Sequence, residues 1–319
     1  RGLSGFAGFL TLLACLAGWG GVRKSVMKPP IHLLGAALLL AAGVGGSGCV
    51  LVRKGAAKIV TPVAMELSDG FMRQTDVELV REGAPAFLLM LDALAEAHPD
   101  RPAVLIAAAE AQMAYAMGFL DKAQKERAKS MFLKAKTYGL RALSARSRKF
   151  ARAQEGSYED FAHALSHFRK KDADALLATA TSWVMWIIAS SDSPAALGDM
   201  PKVLAMMERV KELDPRIRQG GVDLFYGIYY VVLPLGGGRD LAKARRHFER
   251  SIAVAGPDYL LNRVTFAEYY ARYALDQELF ERTLRSVLAA EPAVPAFTLM
   301  NAVAQTRARA LLAQMDDLF

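Results

Sequence analysis

Two cysteines, Cys15 and Cys49, are all that the 319 residues hold. So few exclude a disulfide framework and a cysteine-ligated zinc site. Histidine is nearly as scarce. Of the five, His32 lies in an N-terminal apolar region, His98 precedes Pro99 as a helix end, and His247 reads as a surface residue. His163 and His167, in "FAHALSHF", are four apart and could share a helix face as metal ligands do. No Glu stands between them and no third ligand is indicated, so no metal and no cofactor is assigned. Catalytic patterns are missing too. There is no Gly-x-Ser-x-Gly and no Asp-rich calcium loop. "LGGGRD", Leu235–Asp240, lacks both the Gly-Lys-Ser/Thr of a phosphate loop and a preceding strand, so it reads as a turn between helices. The Asp316-Asp317 pair reads as a solvated tail. Nothing here points to an enzyme.

Acidic residues are absent from the first 48 positions, which carry only Arg1, Arg23, Lys24 and Lys28 as charges. Two apolar runs, Leu3–Trp19 and Ile31–Val44, fill this region. The second follows Met27-Lys28 and ends in Gly46-Ser47-Gly48, the layout of a secretory signal. Cys49 directly after these small residues fits the acceptor of a bacterial lipoprotein, with Gly46 standing where Leu is usual. A retained membrane helix is the alternative, but Ile31–Val44 is short for the roughly 20 residues that a span needs. The chain opens on Arg1 and Met27 fits a start. Residues 1–26 are therefore expected to lie upstream of the true start, an extra transmembrane helix being the other reading. The domain division expected is 1–48 as signal region and 49–319 as one helical domain, exported and lipid-anchored through Cys49. Without its cationic leader the chain carries a net charge near +4.

Alternating strand patterns are also missing. Beyond about Val50, Ala, Leu, Met, Arg and Glu dominate in helical periodicity. Prolines punctuate it at Pro99, Pro102, Pro194, Pro215, Pro234, Pro257, Pro292 and Pro295. One interval recurs four times: Ala128/Phe132/Ala135, Val203/Met207/Val210, Ala244/Phe248/Ser251 and Phe280/Leu284/Val287. Two copies, those starting at Val203 and Phe280, have a proline twelve residues on. Gly227 and Tyr230 supply a Gly-x2-Tyr spacing in a preceding helix. These spacings predict an all-α body of stacked helix hairpins, built from degenerate tetratricopeptide-like repeats and curved or closed on itself.

Charge and aromatics give the remaining hints. Lys122–Arg152 holds eleven Lys or Arg against Glu126 alone, a candidate face for lipid headgroups or an acidic protein if not merely a solvated helix surface. Export argues against nucleic acid. Trp183 and Trp186 are three apart, Tyr226, Tyr229 and Tyr230 share a turn, and Tyr269, Tyr270 and Tyr273 do the same. At helical spacing such residues form either core or the wall of an apolar ligand cavity.

Three segments, "ALLATATSWVMWIIASSDSPAALGDMPKVLAMMERVKELDP", "GIYYVVLPLGGGRDLAKARRHFERSI" and "NAVAQTRARALLAQMDDLF", resemble the T component (TatT) family of tripartite ATP-independent periplasmic (TRAP) transporters. The likeness runs from about Cys49 to Phe319. It implies a non-enzymatic, tetratricopeptide-like periplasmic lipoprotein that associates with a TRAP substrate-binding protein, accepts a hydrophobic small molecule and self-associates. The ligand would then lie against Trp183, Trp186, Tyr226, Tyr229 and Tyr230. The alternative is a lipid-anchored repeat scaffold for envelope proteins with no small-molecule ligand.

Overall fold

The computed structural model describes residues 70–120, 122–233 and 238–319. Cys49, the signal region and Pro234–Gly237 lie outside the described residues. Helices make up most of the described chain, and no strand occurs among these residues. None of these helices is long and apolar enough to cross a membrane.

The first long helix, α1 (Val77–Ala97), starts where the Asp76 carboxylate accepts the Leu79 backbone N–H at 3.0 Å, satisfying one of the free donors of the first turn. Next come α2 (Pro102–Phe119), opened by its proline, and α3 (Lys125–Arg146). Two short helices, α4 (Arg148–Ala153) and α5 (Tyr158–Leu165), lead to the apolar α6 (Ala173–Ala189). A single turn, α7 (Pro194–Leu197), precedes α8 (Met200–Leu213), which stops before Pro215. The second half comprises α9 (Ile217–Val232), α10 (Leu241–Ala255) and α11 (Leu261–Thr265), which runs on as a π-helical segment, Phe266–Ala271. Then follow α12 (Gln277–Leu288), α13 (Thr298–Leu312) and the closing turn α14 (Met315–Leu318).

Neighbours in sequence pack side by side. Within the first half α2 lies against α1 and α3, α3 against α6, and α6 against α8. The second half pairs α9 with α10 and α12 with α13, while α13 also touches α1. All twelve residues of the recurring interval are buried. The spacing thus marks the inner face of four helices, α3, α8, α10 and α12. Gly227 shows why small residues recur beside it: a Cβ there would meet ring atoms of Phe248 at 3.0 Å, so α9 and α10 approach through a missing side chain.

The cationic stretch of α3 is largely spent inside the fold. Lys129, Lys134, Lys136, Arg141 and Arg146 pair with Asp192, Asp92, Asp199, Glu96 and Asp172, so five of its basic side chains bind neighbouring segments together. Asp92 of α1 also accepts from Gln112 and Tyr138, tying α1 to α2 and α3.

Contacts between the two halves are narrower, and Arg218 stands at the joint. Its Nη2 lies 2.7 Å from Glu110 Oε1 on α2 and its Nε donates to Asp174 Oδ1 on α6 at 2.6 Å. To reach them, three successive residues adopt left-handed backbone: Arg218 (φ 46°), Gln219 (φ 54°) and Gly220 (φ 77°). Left-handed backbone costs a side-chain-bearing residue about 1–2 kcal/mol. Asn262 holds the turn by donating from Nδ2 to the Gln219 carbonyl at 2.8 Å and to the Ser251 carbonyl at 3.2 Å. Only glycine fits the third position, since a Cβ on Gly220 would lie 2.9 Å from Ser251 Cα.

Candidate functional site

The five aromatic residues singled out in the sequence fall into two groups on different helices. Trp183 and Trp186 stand on α6. Trp183 is buried, lies edge-on to Phe161 at 5.9 Å, and donates from Nε1 to Asp199 Oδ2 at 2.9 Å. Trp186 is half-buried. The ammonium of Lys136, from α3, lies over both rings, 3.8 Å from the Trp186 centroid and 4.4 Å from that of Trp183. It also donates to Asp199 Oδ2 at 3.0 Å. Burial lowers the Lys136 pKa from its usual value, with Asp199 opposing that shift. These two indoles therefore hold a cation of the chain itself.

Tyr226, Tyr229 and Tyr230 stand together on α9, all half-buried. Tyr229 stacks on Phe225 at 6.2 Å with ring planes 7° apart. His247, on α10, lies against the rings of both Tyr226 (5.4 Å) and Tyr230 (5.6 Å). Lys211 and Lys243 extend the stack, over Tyr226 at 5.7 Å and over Tyr230 at 5.4 Å. The Tyr226 hydroxyl donates to Glu208 Oε2 at 2.8 Å. Burial and then that carboxylate hold its proton on, well above the ordinary phenol range.

A groove of about 540 Å³ opens beside this stack, where α8 ends and α9 and α10 pack together. Val222, Ala253, Val254 and Pro215 give it apolar walls. Lys211, Arg216 and Arg250 bring three cations, against the single carboxylate of Asp223. Burial raises the Asp223 pKa, but hydrogen bonds from His247 and Arg250 outweigh it and hold the carboxyl below its usual range. His247 Nδ1 lies 2.7 Å from Asp223 Oδ1, and Arg250 donates to the same oxygen from Nε at 3.0 Å and Nη2 at 2.9 Å. Such an arrangement can hold an anion against an aromatic and apolar wall.

His247 is thus part of a concave site, where its sequence position suggested only surface. Asp223, Arg250, Lys211 and Arg216 went unnoticed as well, because three helices and the link between α8 and α9 contribute them and no spacing joins them. Only the clustering of aromatics in "FYGIYYVV" marks the place. The second tyrosine cluster divides: Tyr270 stacks on Phe266 at 5.1 Å, while Tyr273 is exposed beneath the Arg239 guanidinium. His163 and His167 sit edge-on with ring centroids 5.6 Å apart. His167 places Nε2 at 2.9 Å from Lys149 Nζ and Nδ1 at 3.2 Å from the Ala164 carbonyl. Among the described residues no group of three or more His, Cys, Asp or Glu side chains is arranged to hold a metal.

Compared with known protein families, residues 73–319 match the TRAP transporter T-component. An uncharacterized protein of Treponema pallidum (strain Nichols) is 26% identical over 268 residues, a match spanning 78% of this chain and 82% of that protein. The family match over residues 73–319 spans the whole succession from α1 to α14. The chain belongs to the TRAP transporter T-component family.

Proposed function

We propose that this chain is a non-enzymatic, lipid-anchored periplasmic subunit of a TRAP-type system, which holds a hydrophobic small molecule and docks a periplasmic substrate-binding protein. Family membership over residues 73–319 supports the association with a TRAP system. The observation that carries the ligand reading is the state of the aromatics on α9. Tyr226, Tyr229 and Tyr230 are half-buried and gathered on one helix, and the first of them lines a groove with apolar walls. Lys136 lies within 4.4 Å of both indole centres and Trp183 is buried, whereas the cations over Tyr226 and Tyr230 stand at 5.4 Å or more, so the tyrosine face is the more open seat, with Trp186 at most a flank. Stacked tetratricopeptide-like units, anchoring through Cys49 and self-association complete the reading. The groove's charged rim favours the second reading, a lipid-anchored scaffold without a small molecule.

The test is binding of N-phenyl-1-naphthylamine, an uncharged fluorophore that brightens in apolar surroundings. The full chain should bind it, and a Tyr229→Ala/Tyr230→Ala variant should bind it at least tenfold more weakly with a nearly unchanged melting temperature. A variant that loses stability while keeping affinity would make these tyrosines packing residues. Absence of binding by the unaltered chain would favour the scaffold.

A further inference from the structure

The groove between α8, α9 and α10 is open at its rim. Lys211, Pro215, Arg216 and Arg250 are all exposed, whereas Val222 is buried at its base. Small-molecule sites cover roughly 70–90% of their ligand. A free small acid resting here would keep much of its surface wet, while a side chain delivered by a large body brings its own cover. A membrane surface is too flat to enter a recess.

The charges are arranged to suit such a visitor. Asp223, the one carboxylate of the lining, already accepts from Arg250 and faces His247, so it adds little repulsion. Lys211 pairs with Glu208 across one turn, both ends well exposed, a contact easily exchanged for another carboxylate. Arg216 forms no ion pair among the described residues, and its backbone N–H donates to Asp214 Oδ1 at 3.2 Å. It stands between the proline that ends α8 and the left-handed turn at Arg218–Gly220, both of which fix the backbone at its base.

Resting on the docking reading above, we propose that this groove is the seat of an acidic segment of the partner protein. Carboxylates of that segment meet Arg216 and Lys211, and an adjoining apolar side chain lies on Val222 and Val254. Arginine suits this task because its planar fork meets a carboxylate with two hydrogen bonds.

The experiment titrates the full chain with a synthetic peptide of alternating Glu and Leu, followed by fluorescence anisotropy. Three comparison probes are the same peptide with Gln for Glu, free glutarate, and phosphatidylglycerol vesicles. The Glu peptide should bind, weaken at least tenfold on Arg216→Glu, and weaken steadily with salt. The Gln peptide should bind at least tenfold less tightly. Equal binding of the Gln peptide, glutarate binding as tight as the Glu peptide, vesicle binding without peptide binding, or no binding at all would each overturn the proposal. Titration with a TRAP substrate-binding protein from the same organism separates site from reading. If that protein binds and Arg216→Glu changes nothing, the site is wrong and the docking reading stands. If it does not bind while the peptide still does, the site's chemistry is supported and the docking reading falls.

Discussion

The ammonium of Lys136 lies 3.8 Å from the centre of the Trp186 ring, so a lysine of α3 occupies the face that an apolar ligand would need on α6. Replacing it by methionine removes two cation–ring contacts and one partner of the part-buried Asp199. The expected loss is about 2 kcal/mol, read from urea unfolding, with a shift in tryptophan emission. An unchanged midpoint and spectrum would mean the lysine is a bystander.

Gly227 and Phe248 interlock α9 with α10. A methyl on Gly227 meets the fully buried ring of Phe248 at 3.0 Å. Gly227→Ala should cost about 1–3 kcal/mol by overpacking. With Phe248→Leu already in place it should cost clearly less, since the residues share one space. Additive losses in the double variant would disprove the interlock.

Glu268 and Arg307 are buried together, with Arg307 Nη2 donating to Glu268 Oε1 at 2.6 Å. Burial pushes the Glu268 carboxyl up to about 7 from a usual value of 4.5, against the pull of Arg307. Between those values the folded chain keeps a proton that the unfolded chain has released. Stability from this group is therefore full below about pH 4.5 and falls as pH rises towards 7. Asp223 and Glu208, both held low, act in the opposite sense and at lower pH. Unfolding midpoints at pH 5, 6 and 7 should decline, and Glu268→Gln should flatten the decline. The same slope in both proteins would contradict the assignment.

Arg218 joins the halves of the body, and its removal strands a carboxylate. Glu110 is only 14% exposed at its side chain. Arg218→Ala should therefore cost about 3–5 kcal/mol. Adding Glu110→Leu should recover part of this, because the buried charge goes with its partner. No recovery would place the cost in the left-handed backbone instead.

The helices were legible because burial repeats on a helical period. The interval from Ala128 to Ala135, and its three counterparts, lies on the inner face in each case. Prolines such as Pro102 and Pro215 mark helix limits, although Pro85 lies inside α1. The site was legible only as aromatic spacing. Nothing in "SWVMWII" announces a lysine 47 positions before Trp183, nor does "RRHFERS" announce that His247 lies on two tyrosines. The cationic run of α3 gives no local sign of its partners, since Asp92, Asp172 and Asp199 come from elsewhere in the fold. Pairing between distant segments leaves no local period to read.

The most direct test of the central claim is native mass spectrometry of the gently purified chain, followed by denaturation to release what it carries. The account predicts one apolar organic molecule per chain, lost from Tyr229→Ala/Tyr230→Ala and retained in Arg216→Glu. A chain that is empty, and stays empty when the TRAP substrate-binding protein is added, would contradict it and leave a scaffold in its place.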